Sequence, residues 1–308
     1  MGGQHSFIFV ISILFAFFHS GLAQTLDTSQ LREVQQFSQE TGADGILLVH
    51  RGNIIHEWYN PDCDSVYMNT ASAVKSWTSV VIGRLIAEGN IESINTPVCD
   101  IIPEWEAGCK NGVTIEHLLT MTSGIKKRTS RSGPKRFVFM EEDFNDFVFN
   151  IELDTTPGAV WSYSNEAVQL LAPIIERASG METEAAFKAL LYDPLGMDST
   201  SLFRDPSGNA VVFGGAKTTL RDFSRIGLLM INEGNWNGKQ FLPEGWVTNA
   251  TKAIPQNPYY GYLWWVDQAN GSFTSMGDFG QLCIVYPQEE LIYLRYQTCR
   301  NNDPSKNL

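Results

Sequence analysis

Apolar runs of strand length crowd the two ends of this chain, and helical periodicity fills its middle. Near the start, "GILLVHRG" and "NIIHEWYN" meet at Arg51-Gly52-Asn53 and read as a hairpin. Near the end, "GYLWWV", "QLCIVYP" and "LIYLRYQT" read as strands, the last two joined by a turn at "PQEE". Between them, "TIEHLLTM", "FNDFVFNI", "EAVQLLAPIIERAS", "TEAAFKALLY" and "TTLRDFSRIGLLMINEG" carry helical spacing, broken by Gly/Pro turns, and "LREVQQFSQE" precedes the first strands as an amphipathic helix. Strands gain stability only with neighbours and a covered face. Strands at opposite ends of one chain are therefore expected to share a sheet. The fold class is α/β: an antiparallel sheet from both termini, flanked by helices, with an inserted helical subdomain. The sheet part is expected at about residues 24–89 and 216–308 and the helical part at about 90–215, as one composite domain.

The first residues belong to a different class. "HSFIFVISILFAFFHSGLA" is an apolar run of signal-peptide length ending in small residues, so residues 1–23 are expected to be a secretory signal cleaved after Ala23. Its continuous apolar part, Phe7 to Phe18, is too short to span a bilayer comfortably, and the expected product is secreted, with no membrane association after signal removal. The formal charge is −12. An acidic surface of that size repels nucleic acid and anionic lipid. Asn249-Ala-Thr and Asn270-Gly-Ser are glycosylation sequons for a host that uses them.

Five cysteines fit an oxidising compartment. Cys99 and Cys109 flank a short loop and are the expected disulfide. A turn at "PQEE" sets position 283 opposite position 294 rather than 299, so a direct Cys283–Cys299 bridge is disfavoured and Cys283 reads as a buried thiol. The pairing of Cys63 and Cys299 stays open.

The segment "ASAVKSW" holds a serine three residues before a lysine. Ser-x-x-Lys occurs three times, at Ser72/Lys75, Ser123/Lys126 and Ser132/Lys135. Only the first opens a long helix, marked by Val74, Trp77, Val81 and Leu85; the others meet glycine or proline. In a helix, residues three apart share a face. A serine hydroxyl needs a neighbouring base, and a lysine serves when burial lowers its pKa. The plain alternative is an N-cap serine beside a snorkelling lysine. His50, His56 and His117 belong to no G-x-S-x-G elbow, and neither HExxH nor Cys-x-x-Cys occurs. No metal or organic cofactor is implied.

Several segments together resemble the serine beta-lactamase and penicillin-binding-protein-like hydrolases, in the class C branch with its esterases and amidases. "ASAVKSWTS", "VTIEHLLTMTSGI", "TTPGAVWSYSNEAVQLLAPIIERASG", "PLGM", "GGAKTTLRDFSRIGLLMINEG" and "YYGYLWWV" follow in family order over roughly residues 30–298. The resemblance implies Ser72 as the acylated nucleophile and Lys75 as its proton acceptor. It implies Tyr163 as the shuttle to the leaving group, and Asn165 as a hydrogen-bonding partner of Lys75 and substrate. "GDFGQLCIVYP" replaces the lactamase K-T-G element, in a form closer to 6-aminohexanoate-oligomer hydrolases, and there the backbone N–H groups of Ser72 and Gln281 would form the oxyanion hole.

Asp278 stands where lactamases and D-Ala-D-Ala peptidases place a cation for a substrate carboxylate. The expected activity is cleavage of a small-molecule ester or amide, neutral or cationic, with poor turnover of beta-lactams. The basic loop at residues 126–136 is a candidate replacement anion clamp, or simply a solvated loop. The aromatics Trp161, Tyr259, Tyr260, Tyr262, Trp264, Trp265 and Phe279 divide between an acyl pocket and core packing. Two alternatives keep the same fold: a catalytically silent secreted binding protein, or a D-Ala-D-Ala carboxypeptidase or beta-lactamase.

Overall fold

The computed structural model describes residues 28–63, 65–125 and 141–299. The expected signal at residues 1–23 and the basic loop at residues 126–136 lie outside them. Helix α1 (Thr28–Glu40) leads into strands β1 (Gly45–His50) and β2 (Asn53–Tyr59). Arg51 and Gly52 both take positive φ, at 49° and 76°, which is the turn geometry that matches the twist of a two-residue hairpin. The short strand β3 (Met68–Asn69) precedes helix α2 (Val74–Ala87). The middle of the chain supplies α3 (Ile115–Leu119), α4 (Phe144–Phe149), α5 (Asn165–Gln169), α6 (Leu171–Ser179) and α7 (Thr183–Phe187). Strands β4 (Ser201–Leu202) and β5 (Ala216–Thr218) join β3 in a small sheet, and helix α8 (Leu220–Ile231) follows. The chain then closes through β6 (Trp265–Asp267), β7 (Ser272–Gly277), β8 (Gln281–Tyr286) and β9 (Leu291–Tyr296).

The main sheet has the order β2-β1-β9-β8-β7-β6, every pairing antiparallel. The strand from the first end therefore lies beside the last strand, with Gly45 opposite Tyr296. The sheet's two faces are both buried. One meets α1 through Val34, Ile46, Leu48, Ile284 and Tyr293. The other meets α2 and α8 and merges into the larger core with Trp77, Leu85, Phe223, Val285 and Leu294. Helix α2 is buried from Val74 through Gly83 and again at Leu85, because it lies between the sheet and the inserted helices. Gly227 of α8 is a close-approach glycine: a Cβ there would lie 2.9 Å from Ile292 and 3.1 Å from the Cys283 sulfur.

One reading of the end strands changes and one strand is added to them. Of "GYLWWV" only Trp265 onward is strand; Gly261 to Trp264 pack as irregular chain. Strand β7, "SFTSMG", carries no apolar alternation, yet it is buried at five of six positions and abuts the turn that carries Ser72. Its polar side chains are satisfied internally, as when Ser275 Oγ donates to the Ala73 carbonyl at 2.8 Å.

Disulfides join Cys99 to Cys109 and Cys63 to Cys299, while Cys283 is free, buried and opposite Leu294. Of the two sequons, Asn249 is exposed, whereas Asn270 is 9% exposed and its Oδ1 accepts from the Ser272 N–H. Among the described residues no helix is long and apolar enough to cross a membrane.

Gly277 closes β7 against the Ser72 turn. A Cβ there would lie 2.2 Å from the Thr70 carbonyl oxygen and 3.0 Å from the Ser72 nitrogen. Backbone cannot yield as a flexible side chain does. Gly277→Val is expected to cost about 1–3 kcal/mol of stability through overpacking, read as a lower midpoint in thermal or denaturant unfolding.

Candidate active site

Ser72 sits in a single 3-10 turn, Ala71–Ala73, that runs directly into α2. Ala71, just before it, is left-handed at φ 46°, a conformation that costs a residue with a Cβ roughly 1–2 kcal/mol. The Asn69 Oδ1 holds this kink by accepting the Ala71 N–H at 2.9 Å. Strands β7 and β8 both abut the turn.

One turn further on, the Lys75 Nζ donates to the Ser72 Oγ at 2.9 Å and to the Phe213 carbonyl. Lys75 is 2% exposed. Its amine lies 5.0 Å from the Tyr163 ring centroid and 5.7 Å from that of Phe213. Burial pulls the amine down to about 7, against the opposing influence of the Asp278 and Glu166 charges. An isolated ammonium in such a place is strongly disfavoured. The segment holding the Phe213 carbonyl is itself pinned to α2, since Thr78 Oγ1 donates to the Val212 carbonyl at 2.7 Å.

Tyr163 lies in the extended stretch before α5 and lines the cleft with Ser72. Its ring stacks on Trp265 at 6.1 Å and 23° and meets Tyr260 edge-on at 6.5 Å. Burial raises its hydroxyl to about 12; the Ser72 side chain acts in the opposite sense and the Asp278 charge adds to the rise.

The two residues after Tyr163 part company. Ser164 caps α5 by accepting the Ala167 N–H at 3.1 Å, which leaves Asn165 as the first helical residue. The expected Asn165–Lys75 hydrogen bond is not formed. The Phe213 carbonyl takes the place by Lys75, and the buried Asn165 Oδ1 finds no partner among the described residues.

Gln281 opens β8 and is buried. Its side chain turns to the last segment: Nε2 donates to the Gln297 carbonyl at 2.7 Å, and Oε1 accepts the Gln297 N–H at 3.2 Å. Only its backbone is left for the site, and Gln281 stands opposite Gly277 in the register, beside Ser72.

These residues surround a cleft of about 400 Å³ whose lining includes Ser72, Trp161, Tyr163, Asn165, Trp265 and Asp278. Of the aromatics singled out in the sequence, Trp161 and Trp265 line it, Tyr260, Tyr262 and Trp264 are buried in the core, and Tyr259 and Phe279 are exposed. Sequence reasoning misses the Phe213 carbonyl and strand β7, because a main-chain acceptor has no residue signature. Among the described residues, one group has potential metal-ligand spacing, Asp44, Cys63 and Cys299, and its two sulfurs are joined to each other.

The beta-lactamase family matches residues 32–307. The 6-aminohexanoate-dimer hydrolase of Paenarthrobacter ureafaciens is 23% identical over 308 residues, covering 89% of this chain and 77% of that protein. Esterase EstB of Burkholderia gladioli is 30% identical over 153 residues, covering 44% of this chain and 38% of its own length. A penicillin binding protein from Bacillus halodurans superposes with a TM-score of 0.68 at 19% identity, over 85% of this chain and 94% of that one. This chain belongs to the beta-lactamase family and is a serine hydrolase.

Proposed function

We propose that this protein cleaves a small ester or amide through an acyl-enzyme on Ser72. The observation that carries the reading is the 2.9 Å contact between Ser72 Oγ and a lysine amine that is 2% exposed. With its amine drawn to about 7, Lys75 is largely neutral just above neutrality and has a lone pair for the Ser72 proton. Its N–H bond to the Phe213 carbonyl fixes the direction of that lone pair. Serine oxygen then attacks the carbonyl carbon. The oxyanion is received by the backbone N–H groups of Ser72 and Gln281, donors of a kind worth about 10²–10³ in rate each. Tyr163, held protonated, passes a proton to the departing alcohol or amine and is reprotonated from Lys75. Water releases the acyl group by the reverse relay. Asn165 lines the cleft beside Tyr163. The amide and ester cleavage named for the two relatives supports this substrate class.

We also place the protein in the secretory pathway, on the strength of the apolar leader and the two disulfides. Exposed Asn249 is the better glycan acceptor of the two sequons.

A fluorophosphonate is expected to label Ser72 alone, with no adduct in Ser72→Ala; folded protein that remains unlabelled would favour the silent binding protein. The pH profile of kcat/KM is expected to fall about tenfold per unit below about pH 7, where Lys75 becomes protonated, and to level off above it. A profile flat through that range would remove Lys75 as the base.

Lys75→Met is expected to abolish turnover and raise the melting temperature. The folded state holds the amine at about 7, below the ordinary 10.5 of the unfolded chain. Between those values the unfolded chain binds more protons, so wild-type stability rises with pH. The advantage of Lys75→Met is therefore full below about pH 7 and shrinks towards pH 10.5, which melting curves across that range would read.

A further inference from the structure

The cleft has an uneven inventory of charge. Asp278 lines it, is exposed, and makes no hydrogen bond or ion pair with any described residue. It sits on the turn Asp278–Gly280, where Phe279 is left-handed at φ 63° and 63% exposed. Among the described residues no lysine or arginine shares the lining; Lys75 lies behind it, engaged with Ser72 and Phe213. The other walls are the Trp161, Tyr163 and Trp265 rings, which pack on one another at 6.1–6.3 Å.

Aromatic faces and an exposed carboxylate both favour positive charge. A substrate carboxylate would meet repulsion from Asp278 there, with no cation among the described lining residues to offset it. We infer that the enzyme selects substrates with a cationic group, a protonated amine or quaternary ammonium, a short chain away from the scissile carbonyl, held by Asp278 against the Trp161 and Trp265 rings. This inference rests on the acyl-enzyme reading above and adds the charge of its substrate.

Three p-nitrophenyl esters test it, with the acyl chain ending in trimethylammonium, in the isosteric tert-butyl group, or in carboxylate. A parallel set carries the same groups on the alcohol side. The cationic member of at least one set is expected to show kcat/KM about tenfold above its tert-butyl isostere and further above the carboxylate, mostly through KM and falling with added salt. Asp278→Asn is expected to remove most of that ratio, and Asp278→Lys to shift it towards the carboxylate. Equal rates for cation and isostere in both sets, or a preference for carboxylate, would overturn the inference while leaving the acyl-enzyme intact if fluorophosphonate still labels Ser72. Failure of that labelling on folded protein would overturn both.

Discussion

The site is organised around the cost of burying one amine. Lys75 lies between the sheet and the inserted helices, where an ammonium loses its water and gains one main-chain carbonyl and two aromatic rings. That exchange is a poor one for a charge and an acceptable one for a neutral amine. The same burial that weakens the folded state therefore prepares the group for proton transfer. The groups around Lys75 come from three parts of the chain: Ser72 from the entry of its own helix, Phe213 from the segment before β5, and Tyr163 from the stretch before α5. Only the assembled fold leaves the amine unprotonated, and so able to accept a proton, near neutrality.

Tyr163 is governed by the same burial with the opposite sign. Loss of water raises a phenol and lowers an amine, so one dry environment separates the two groups in opposite directions. A shared hydroxyl between them, the Ser72 Oγ, completes a path along which a proton can move without a histidine.

The fold is legible where periodicity is strong. Helix α2 shows its stripe, the hairpin turn shows Arg51-Gly52, and the register of β8 with β9 follows from the position of "PQEE", down to Cys283 opposite Leu294. Strand β7 is not legible, since Ser272, Thr274 and Ser275 look like loop residues and are buried only because neighbouring strands and the Ala73 carbonyl satisfy them. In the site, Ser72, Lys75 and Tyr163 stand out by spacing and order, and the structure brings them together. The partner of Lys75 does not stand out. Asn165 is expected there, yet the acceptor is the main chain of Phe213, and a backbone carbonyl leaves no trace in residue identity.

The pairing of β1 with β9 sets the order in which this molecule can be built. Asp44 binds the backbone N–H of Thr298, 254 residues later, and Cys63 waits for Cys299, 236 residues later. A chain emerging from synthesis presents Ser72 and Lys75 early, but the strands that flank them arrive last. Such long-range pairing folds slowly. The Ser72 turn and the Lys75 helix both pack against β7, so a site whose nucleophile is encoded early is closed by strands encoded last.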